Sequence, residues 1–223
     1  MHQYRGRMLP RAHSGKRAAT MTAMKEASQE RQIDRENGCF RSVVTYLEMR
    51  APPRRDPPPP RDGVSLSRWL QPDLDEYLDL FHRIGDPWLW YGRLLQPRPA
   101  IAQRIRAPDY GLWRLWCGER VAGLGELDRS NPADVKLEYF GLVPEYIGNG
   151  LGGWFLRSLV AEAWRGPAER VWLHTCTEDH PDAVDVYRHV GFAVYDREVE
   201  WVRDPRLSGL LPREAGPHVP LAE

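Results

Sequence analysis

Four glycines lie within six residues, at Gly148, Gly150, Gly152 and Gly153. Glycine has no Cβ atom, so a ligand can lie directly against main-chain N–H groups at these positions. The apolar residues that follow predict a helix, whose amino-terminal end carries a partial positive charge and faces the same loop. N–H groups at the start of a helix bind anions, and phosphates above all. The spacing therefore predicts a cradle for a phosphate or pyrophosphate group.

A glycine-rich loop can also be a plain connection, or it can belong to a dinucleotide-binding fold. In such folds the glycines follow the first strand, and an acidic residue comes about twenty positions later. Here the glycines lie two-thirds of the way along a chain of 223 residues. Their position therefore disfavours a dinucleotide fold.

Two predicted elements after the loop help to decide what kind of fold contains it. Val171–Cys176 is a short apolar run, typical of a buried strand. The segment His180–Phe192 then predicts a helix, with Pro181 at its first position and Gly191 just beyond its end.

Together the loop and this helix resemble two motifs of the GCN5-related N-acetyltransferase (GNAT) superfamily. The matching residues are Ile147–Gly152 for the pyrophosphate loop, and Ala183, Tyr187, Gly191 and Phe192 for the helix. The resemblance covers Val64 to Asp204. One position departs from the family, whose loop usually begins with Gln or Arg where this chain has Ile147. The departure removes one side-chain contact and leaves the main-chain cradle.

The resemblance implies an α/β (α+β) fold with a central mixed sheet flanked by helices. The sheet is mostly antiparallel and contains one parallel pair of strands that splay apart. The order of the predicted elements agrees: a strand from Val64, a helix from Pro72 to Gly85, a weaker helix within Leu94–Ile105, a hairpin at Gly118-Glu119, a strand at Val135–Val143, the glycine loop and its helix, and a last strand at Phe192–Val202. The helix after the loop is expected to bury Leu151, Phe155, Leu159 and Ala163 and to leave Ser158 outside.

The resemblance also implies acetyl-coenzyme A as cosubstrate, without a metal. The main chain of the strand before the loop would pair with the pantetheine arm, and the loop amides would hold the pyrophosphate. The residues so implied are Leu142, Val143, Gly148, Asn149, Gly150, Leu151, Gly152 and Gly153.

By the same resemblance, Tyr187 is the proton donor to the departing thiolate, although a tyrosine at helical spacing can also be a core residue. Three residues are candidates for the base that takes the amine proton. Glu138 shares a strand face with Lys136, and family members often carry a carboxylate there. His174 lies where amino-terminal acetyltransferases of the superfamily carry Glu, and its ordinary pKa of about 6.5 suits a base; a core histidine is the alternative. Glu126 ranks behind them, as a base, a substrate contact or a solvent-facing edge carboxylate.

His174, Cys176 and His180 are close in sequence but lack a fourth ligand at a suitable spacing, so we expect no metal. Cys176 as an acyl-carrying nucleophile stays open beside direct transfer, which the resemblance favours. The aromatic residues Trp88, Trp90 and Tyr91 are expected either to form a wall for the acceptor or to pack on the sheet.

Composition limits the partners. The 31 Lys and Arg residues balance 31 Asp and Glu residues, which argues against nucleic acid or an acidic membrane as a partner. The cysteines, three in number and scattered, are typical of a reducing compartment. No apolar run reaches the ~20 residues of a membrane span, and no signal peptide is apparent, so we expect a cytoplasmic protein. A homodimer is left open.

Four segments are expected along the chain. Residues 1–42 predict a disordered basic extension, with a nucleic-acid or targeting arm as the alternative. Residues 43–63 predict a short strand at Val43–Met49 and a stiff proline-rich linker. Residues 64–206 are the expected N-acetyltransferase domain, and residues 207–223 a loose tail.

The expected function is acetyl transfer from acetyl-coenzyme A directly to a primary amine. The sequence leaves the acceptor open as a small molecule, a peptide or protein amino terminus, or a lysine. The alternative is a non-catalytic coenzyme-A-binding sensor on the same fold, in keeping with Ile147 and the three competing bases.

Overall fold

Residues 32–223, which the computed structural model describes, form one sheet of eight strands flanked by helices. In chain order the strands are β1 (Ile33–Asp34), β2 (Cys39–Met49), β3 (Val64–Arg68), β4 (Tyr110–Cys117), β5 (Arg120–Asp128), β6 (Asp134–Leu142), β7 (Arg170–Cys176) and β8 (Ala193–Arg203). Across the sheet the order is β1, β2, β7, β6, β5, β4, β3, and β8 also pairs with β2. Every pairing is antiparallel except that of β6 with β7. The predicted mixed, mostly antiparallel sheet is confirmed.

Within the described residues the α-helices are α1 (Leu74–Gly85), α2 (Arg98–Ile105), α3 (Leu151–Ala163) and α4 (Ala183–Val190). Asp73 fixes the start of α1, because its carboxylate accepts hydrogen bonds from the amides of Asp75 (2.9 Å) and Glu76 (3.1 Å). Helix α4 ends at Gly191, whose φ of +118° suits glycine. Pro181 lies two residues before α4 rather than at its first position. None of these helices is long and apolar enough to span a membrane.

Strands β6 and β7 pair only where they begin. Their parallel ladder joins Asp134–Lys136 to Arg170–Trp172 and then stops. Residues 137–142 of β6 continue without a partner on that edge. Phe140 of β6 and Tyr187 of α4 lie beside the opening, with their ring centroids 6.3 Å apart. The expected splayed pair is therefore present.

Helix α3 covers one face of the sheet. The four residues predicted for its inner face are all buried: Leu151, Phe155, Leu159 and Ala163. The helix lies close to β5 because Gly125 has no side chain; a Cβ there would come within 2.3 Å of Leu159. Ser158, expected on the outer face, is instead buried, and its hydroxyl donates to the carbonyl of Trp154 (3.0 Å).

Strand β2 lies inside the sheet, between β7 and β8. Its residues Val44–Met49 pair with β7 on one edge, and residues 39–48 pair with β8 on the other. This corrects the expected boundary at Val64, because strands that precede it belong to the same sheet. Residues 1–31 of the expected basic extension lie outside the described residues, whereas residues 33–34 and 39–42 are in β1 and β2.

The carboxyl-terminal residues are also packed, which corrects the expectation of a loose tail over residues 207–223. Asp204 and Arg206 form an ion pair in the interior (2.7 Å). The Arg206 guanidinium also donates to the carbonyl of Val219 (2.8 Å). Val219 belongs to a buried cluster with Phe40 of β2, so the tail is anchored to the sheet.

A second interior ion pair connects α1, the segment after it, and strands β4 and β5. Glu126 is fully buried, and its carboxylate accepts hydrogen bonds from Arg93 (2.8 Å), from Tyr77 (2.8 Å) and from Tyr110. Burial alone would lower the pKa of the Arg93 guanidinium, but the neighbouring Glu126 carboxylate keeps that pKa above its usual value. Arg93 is therefore a cation held in the interior by Glu126. The solvent-facing alternative for Glu126 is excluded.

We expect Arg93→Met to lower the free energy of unfolding by about 3–5 kcal/mol, because it leaves the Glu126 carboxylate buried without its counter-charge. Urea titration followed by circular dichroism measures the change. Arg98→Met is the matched control, since Arg98 pairs with Asp75 on the surface and such pairs contribute about 1 kcal/mol or less. Equal losses in the two variants would contradict this assignment of the buried pair.

Candidate functional site

Two adjoining cavities open where β6 separates from β7. The first, here called the loop cavity, has a volume of about 480 Å³ and is lined by the glycine loop, Leu142 and Ala183. The second, here called the acidic cavity, has a volume of about 450 Å³, and its carboxylates are Glu138, Glu178, Asp179 and Glu200. The residues that line both are Trp88, Trp90, Phe140, Asp179 and Tyr187. The two cavities therefore adjoin each other at these five residues.

The glycine loop leads the chain into α3. Gly148 and Gly150 have φ angles of +82° and +72°, in the left-handed region that strains other residues. Gly150 directly precedes α3, and no side chain caps the helix there. A Cβ added to Gly153 would meet no atom within 4 Å. The N–H groups of the first turn, including that of Leu151, thus remain available to an anion in the loop cavity.

A guanidinium lies beside this loop. The loop itself begins with the uncharged residue Ile147, where the family usually has Gln or Arg. Arg61, in the proline-rich segment before β3, donates to the carbonyl of Asn149 (3.0 Å). Its terminal nitrogen would be 3.0 Å from a Cβ on Gly150. The segment is held against α3 because the Trp154 indole donates to the carbonyl of Pro58 (2.8 Å). The sequence analysis missed Arg61, because it treated this segment as a linker. The one signal for a cation from elsewhere was the uncharged Ile147 at the start of the loop.

The main chain at the end of β6 has one unpaired position toward the opening. The Val143 N–H donates to the carbonyl of Ala122 (2.9 Å), and the Val143 carbonyl accepts from Tyr146 (2.9 Å). N–H and C=O groups of successive strand residues alternate between the two edges, so those of Leu142 face the β7 side. Of the two residues expected to pair with a ligand through the main chain, Leu142 keeps that capacity, and the N–H of Val143 does not.

Tyr187 lies at the junction of the two cavities. Its ring packs between Phe140 (6.3 Å) and Phe192 (6.1 Å). Burial, and then the nearby Asp179 and Cys176, raise the pKa of the Tyr187 phenol far above its usual value. The hydroxyl is therefore protonated at neutral pH and can donate a hydrogen bond.

Glu138 and His174 both line the acidic cavity. The Glu138 carboxylate lies 2.8 Å from the Lys136 ammonium, on the strand face that the sequence predicts for both. The His174 ring lies 6.0 Å from that of Tyr46. Desolvation by the groups around the ring, and then the Lys136 charge, lower the pKa of His174, although nearby carboxylates act in the opposite direction. His174 is therefore neutral at pH 7 and able to accept a proton.

Asp179, which sequence reasoning did not select, joins the two cavities. Its carboxylate accepts hydrogen bonds from the Thr175 hydroxyl (2.6 Å), the Cys176 amide (2.9 Å) and the Trp90 indole (3.2 Å). Burial, and then Asp179 and Glu178, raise the pKa of the Cys176 thiol well above its usual value. A thiol held protonated is a poor nucleophile. The geometry thus disfavours Cys176 as an acyl carrier.

The aromatic residues expected near the site line the acidic cavity, and they also pack. Trp88 lies between the rings of His180 (5.3 Å) and His218 (5.5 Å). Trp90 packs on Phe81 (5.5 Å), and Tyr91 lies on the same cavity wall. These residues therefore line the cavity and also pack on neighbouring rings, and their contact with an acceptor stays a prediction.

Glu126, a weaker candidate for the base, does not line either cavity, because all three of its partners hold it in the interior below. Across residues 32–223, no three or more His, Cys, Asp or Glu side chains are grouped so that they could hold an ion.

Comparisons with known proteins identify the family of this chain. A family model described as the acetyltransferase (GNAT) family matches residues 66–192, more than half of the chain. The Escherichia coli (strain K12) protein "Uncharacterized N-acetyltransferase YedL" is 28% identical over 104 residues, which make up 46% of this chain and 65% of that protein. The chain thus spans slightly less than two thirds of that relative.

Two solved structures share the fold. A GCN5-related N-acetyltransferase from Sphaerobacter thermophilus has a TM-score of 0.53 at 17% identity, with 82% of this chain and 57% of that chain covered. A functionally unknown conserved protein from Staphylococcus epidermidis has a TM-score of 0.50 at 14% identity, with 85% and 79% covered. At such identities the likeness concerns the fold alone.

We expect an NMR titration to give His174 a pKa below the ordinary value of about 6.5, because desolvation by the cavity walls and the Lys136 charge both disfavour its charged form. Lys136→Met should raise that pKa, since it removes one of the two causes. His174→Gln assigns the signal among the seven histidines. A pKa above 6.5 in the unmodified protein, or one that Lys136→Met leaves unchanged, would show that the ring lies in a different environment.

Proposed function

Because this chain belongs to the acetyltransferase (GNAT) family, we propose that it transfers the acetyl group of acetyl-coenzyme A directly to a primary amine. The observation that carries the proposal is the loop cavity with its uncapped helix start, which adjoins a second cavity at Tyr187. One cavity suits the anionic cosubstrate and the other suits the acceptor. The reacting groups would meet at the residues that both cavities share.

The loop cavity fits the chemistry of the coenzyme. The amides of the first turn of α3 would bind the pyrophosphate, aided by the partial positive charge at the helix start. The Arg61 guanidinium, 3.0 Å from the position of a Cβ on Gly150, would supply the charge that the family usually takes from the first loop residue. The N–H and C=O groups of Leu142 would pair with the amides of the pantetheine arm.

Two side chains would carry out the proton transfers, one as a base and one as an acid. Glu138 or His174 would take a proton from the acceptor amine, directly or through water, so that its nitrogen lone pair can attack the thioester carbonyl carbon. A C–N bond forms, the C–S bond breaks, and the electron pair of the C–S bond goes to sulfur. Tyr187 would give its phenolic proton to that sulfur, and solvent would restore it. General acid and base help of this kind typically contributes 10²–10⁴-fold.

Of the two bases, His174 is the better suited at neutral pH. Its lowered pKa keeps it neutral, whereas the Glu138 carboxylate is already engaged by Lys136 at 2.8 Å. Glu138 would then stabilise the imidazolium that forms when His174 accepts the proton.

The coenzyme site is tested by binding. Acetyl-coenzyme A at about 100 times its dissociation constant should stabilise the folded protein by about 2.7 kcal/mol. Gly150→Asp should remove most of that effect, because it places a carboxylate and a Cβ where the phosphate must lie. Arg61→Gln should weaken affinity about tenfold, as expected for the loss of one charge-assisted hydrogen bond.

Calorimetric titration measures these affinities, and Arg98→Gln, on the surface of α2, is the control for loss of one positive charge. Unchanged affinity in a folded Gly150→Asp variant would mean that the loop is not the site. Tight binding without transfer to any amine or peptide would favour the sensor function instead.

The proton donor is tested by Tyr187→Phe, which keeps the ring and its packing between two phenylalanines. Stability should change by about 1 kcal/mol or less, while single-turnover acetyl transfer should slow by about 100-fold or more. Coenzyme affinity should stay constant, because the proton moves only as the C–S bond breaks. Tyr195→Phe, on an exposed part of β8, is the control. Full transfer rates in Tyr187→Phe would assign the proton to solvent or to another residue.

A further inference from the structure

The lining of the acidic cavity is strongly biased in charge. Its carboxylates are Glu138, Glu178, Asp179 and Glu200, and no Lys or Arg is among its lining residues, all of which lie within the described range. Glu138 has a cationic partner in Lys136 (2.8 Å). The lining of the cavity therefore carries more negative than positive charge.

The carboxylates are held in place by neutral donors. Glu178 is buried, and its two oxygens accept hydrogen bonds from the hydroxyls of Ser42 (2.6 Å) and Thr177 (2.9 Å). Asp179 is fixed by two hydrogen bonds from β7 and by the Trp90 indole. Neutral donors orient a carboxylate without cancelling its charge, although burial raises the pKa of Glu178 and so works against its charged form. Burial and nearby groups, Glu178 and Glu200 among them, raise the pKa of the Tyr91 phenol to about 12, in keeping with a negative potential on this wall.

Aromatic rings make up much of the rest of the lining. Tyr46, Trp88, Trp90, Tyr91 and Tyr139 all border the cavity. The face of an aromatic ring attracts a cation, by about 0.5–2 kcal/mol depending on how far it is desolvated. Rings and carboxylates together form a lining suited to an organic cation, and poorly suited to an anion.

The cavity has two separate ends. Glu138 and His174 border the opening between β6 and β7, where transfer is proposed to occur. Glu178 and Glu200 meet at Ser42, which donates to Glu178 (2.6 Å) and is the cross-strand partner of Glu200. We call Glu178 and Glu200 the distal carboxylates.

Glu200, one of the two distal carboxylates, lies two strands away from the strand that carries His174. Strand β2 separates β7 from β8, and neighbouring strands lie about 4.8 Å apart. Glu200 on β8 is therefore about 10 Å from the line of β7. One ammonium group cannot occupy both ends at once.

We propose that the acceptor carries two basic nitrogens, one that receives the acetyl group and one that stays protonated at the distal carboxylates. A diamine with a flexible carbon chain is the simplest such acceptor. This inference rests on the proposed acetyl transfer and adds the chemical class of its acceptor. The distal ammonium is held by charge and by the aromatic walls, and the near amine loses its proton to His174 or Glu138.

The test compares amines of equal length that differ only at the far end. With acetyl-coenzyme A, kcat/KM is measured for 1,5-diaminopentane, 5-aminopentan-1-ol and 5-aminopentanoate, by release of the free thiol. The diamine should exceed the amino alcohol by about tenfold or more, and the aminopentanoate should be the poorest. Glu200→Gln should raise KM for the diamine about tenfold with little effect on the amino alcohol. Glu119→Gln, in the turn between β4 and β5, is the control for loss of one negative charge.

A second readout separates this inference from the transfer reaction on which it rests. Calorimetric titration of the same three amines into the protein saturated with coenzyme A should rank them in the same order. Equal kcat/KM for diamine and amino alcohol would overturn the two-cation acceptor while leaving acetyl transfer in place. Diamine binding that depends on Glu200, without any turnover, would support the distal cation site and contradict transfer. Neither binding nor turnover of the diamine would overturn the inference.

Discussion

The site depends on one break in the sheet, the end of the parallel ladder between β6 and β7 at the pair Lys136 and Trp172. Beyond it the two strands diverge, so the main chain of Leu142 has no partner on that edge and both cavities find room between the strands. The sheet tolerates this break because β2 pairs with the other edge of β7, along residues 171–176. Without β2, the end of β7 that carries His174 would be unpaired on both sides.

The two cavities on either side of Tyr187 differ in the charged groups around them. The start of α3 lies at the loop cavity, with the Arg61 guanidinium beside the loop, although Asp179 and Asp182 also border this cavity. The acidic cavity has four carboxylates in its lining. A pyrophosphate would bind at the helix start and a cationic acceptor in the acidic cavity, with their reacting groups meeting at a phenol whose raised pKa keeps it protonated.

The parts of the fold and site that depend on local sequence patterns could be predicted from the sequence. The parts that depend on long-range contacts could not. The stripe of apolar residues on α3 and the glycines before it depend on neighbours in sequence, so they could be predicted. The insertion of β2 depends on pairing with residues more than a hundred positions away. Arg61 reaches the loop only because the proline-rich segment crosses α3, and Glu126 is buried only because Arg93, from a different element, compensates it. Each depends on the assembled fold rather than on a local pattern.

Amide hydrogen exchange followed by NMR tests the coenzyme site most directly. Saturating acetyl-coenzyme A should slow exchange at Leu142, through the pantetheine arm, and at Gly152 and Gly153, through the pyrophosphate. The amide of Val143 should not change, because it already donates to Ala122. Protection confined to these amides would agree with the binding mode derived from the splayed strands. Binding that leaves Leu142, Gly152 and Gly153 unprotected would contradict it.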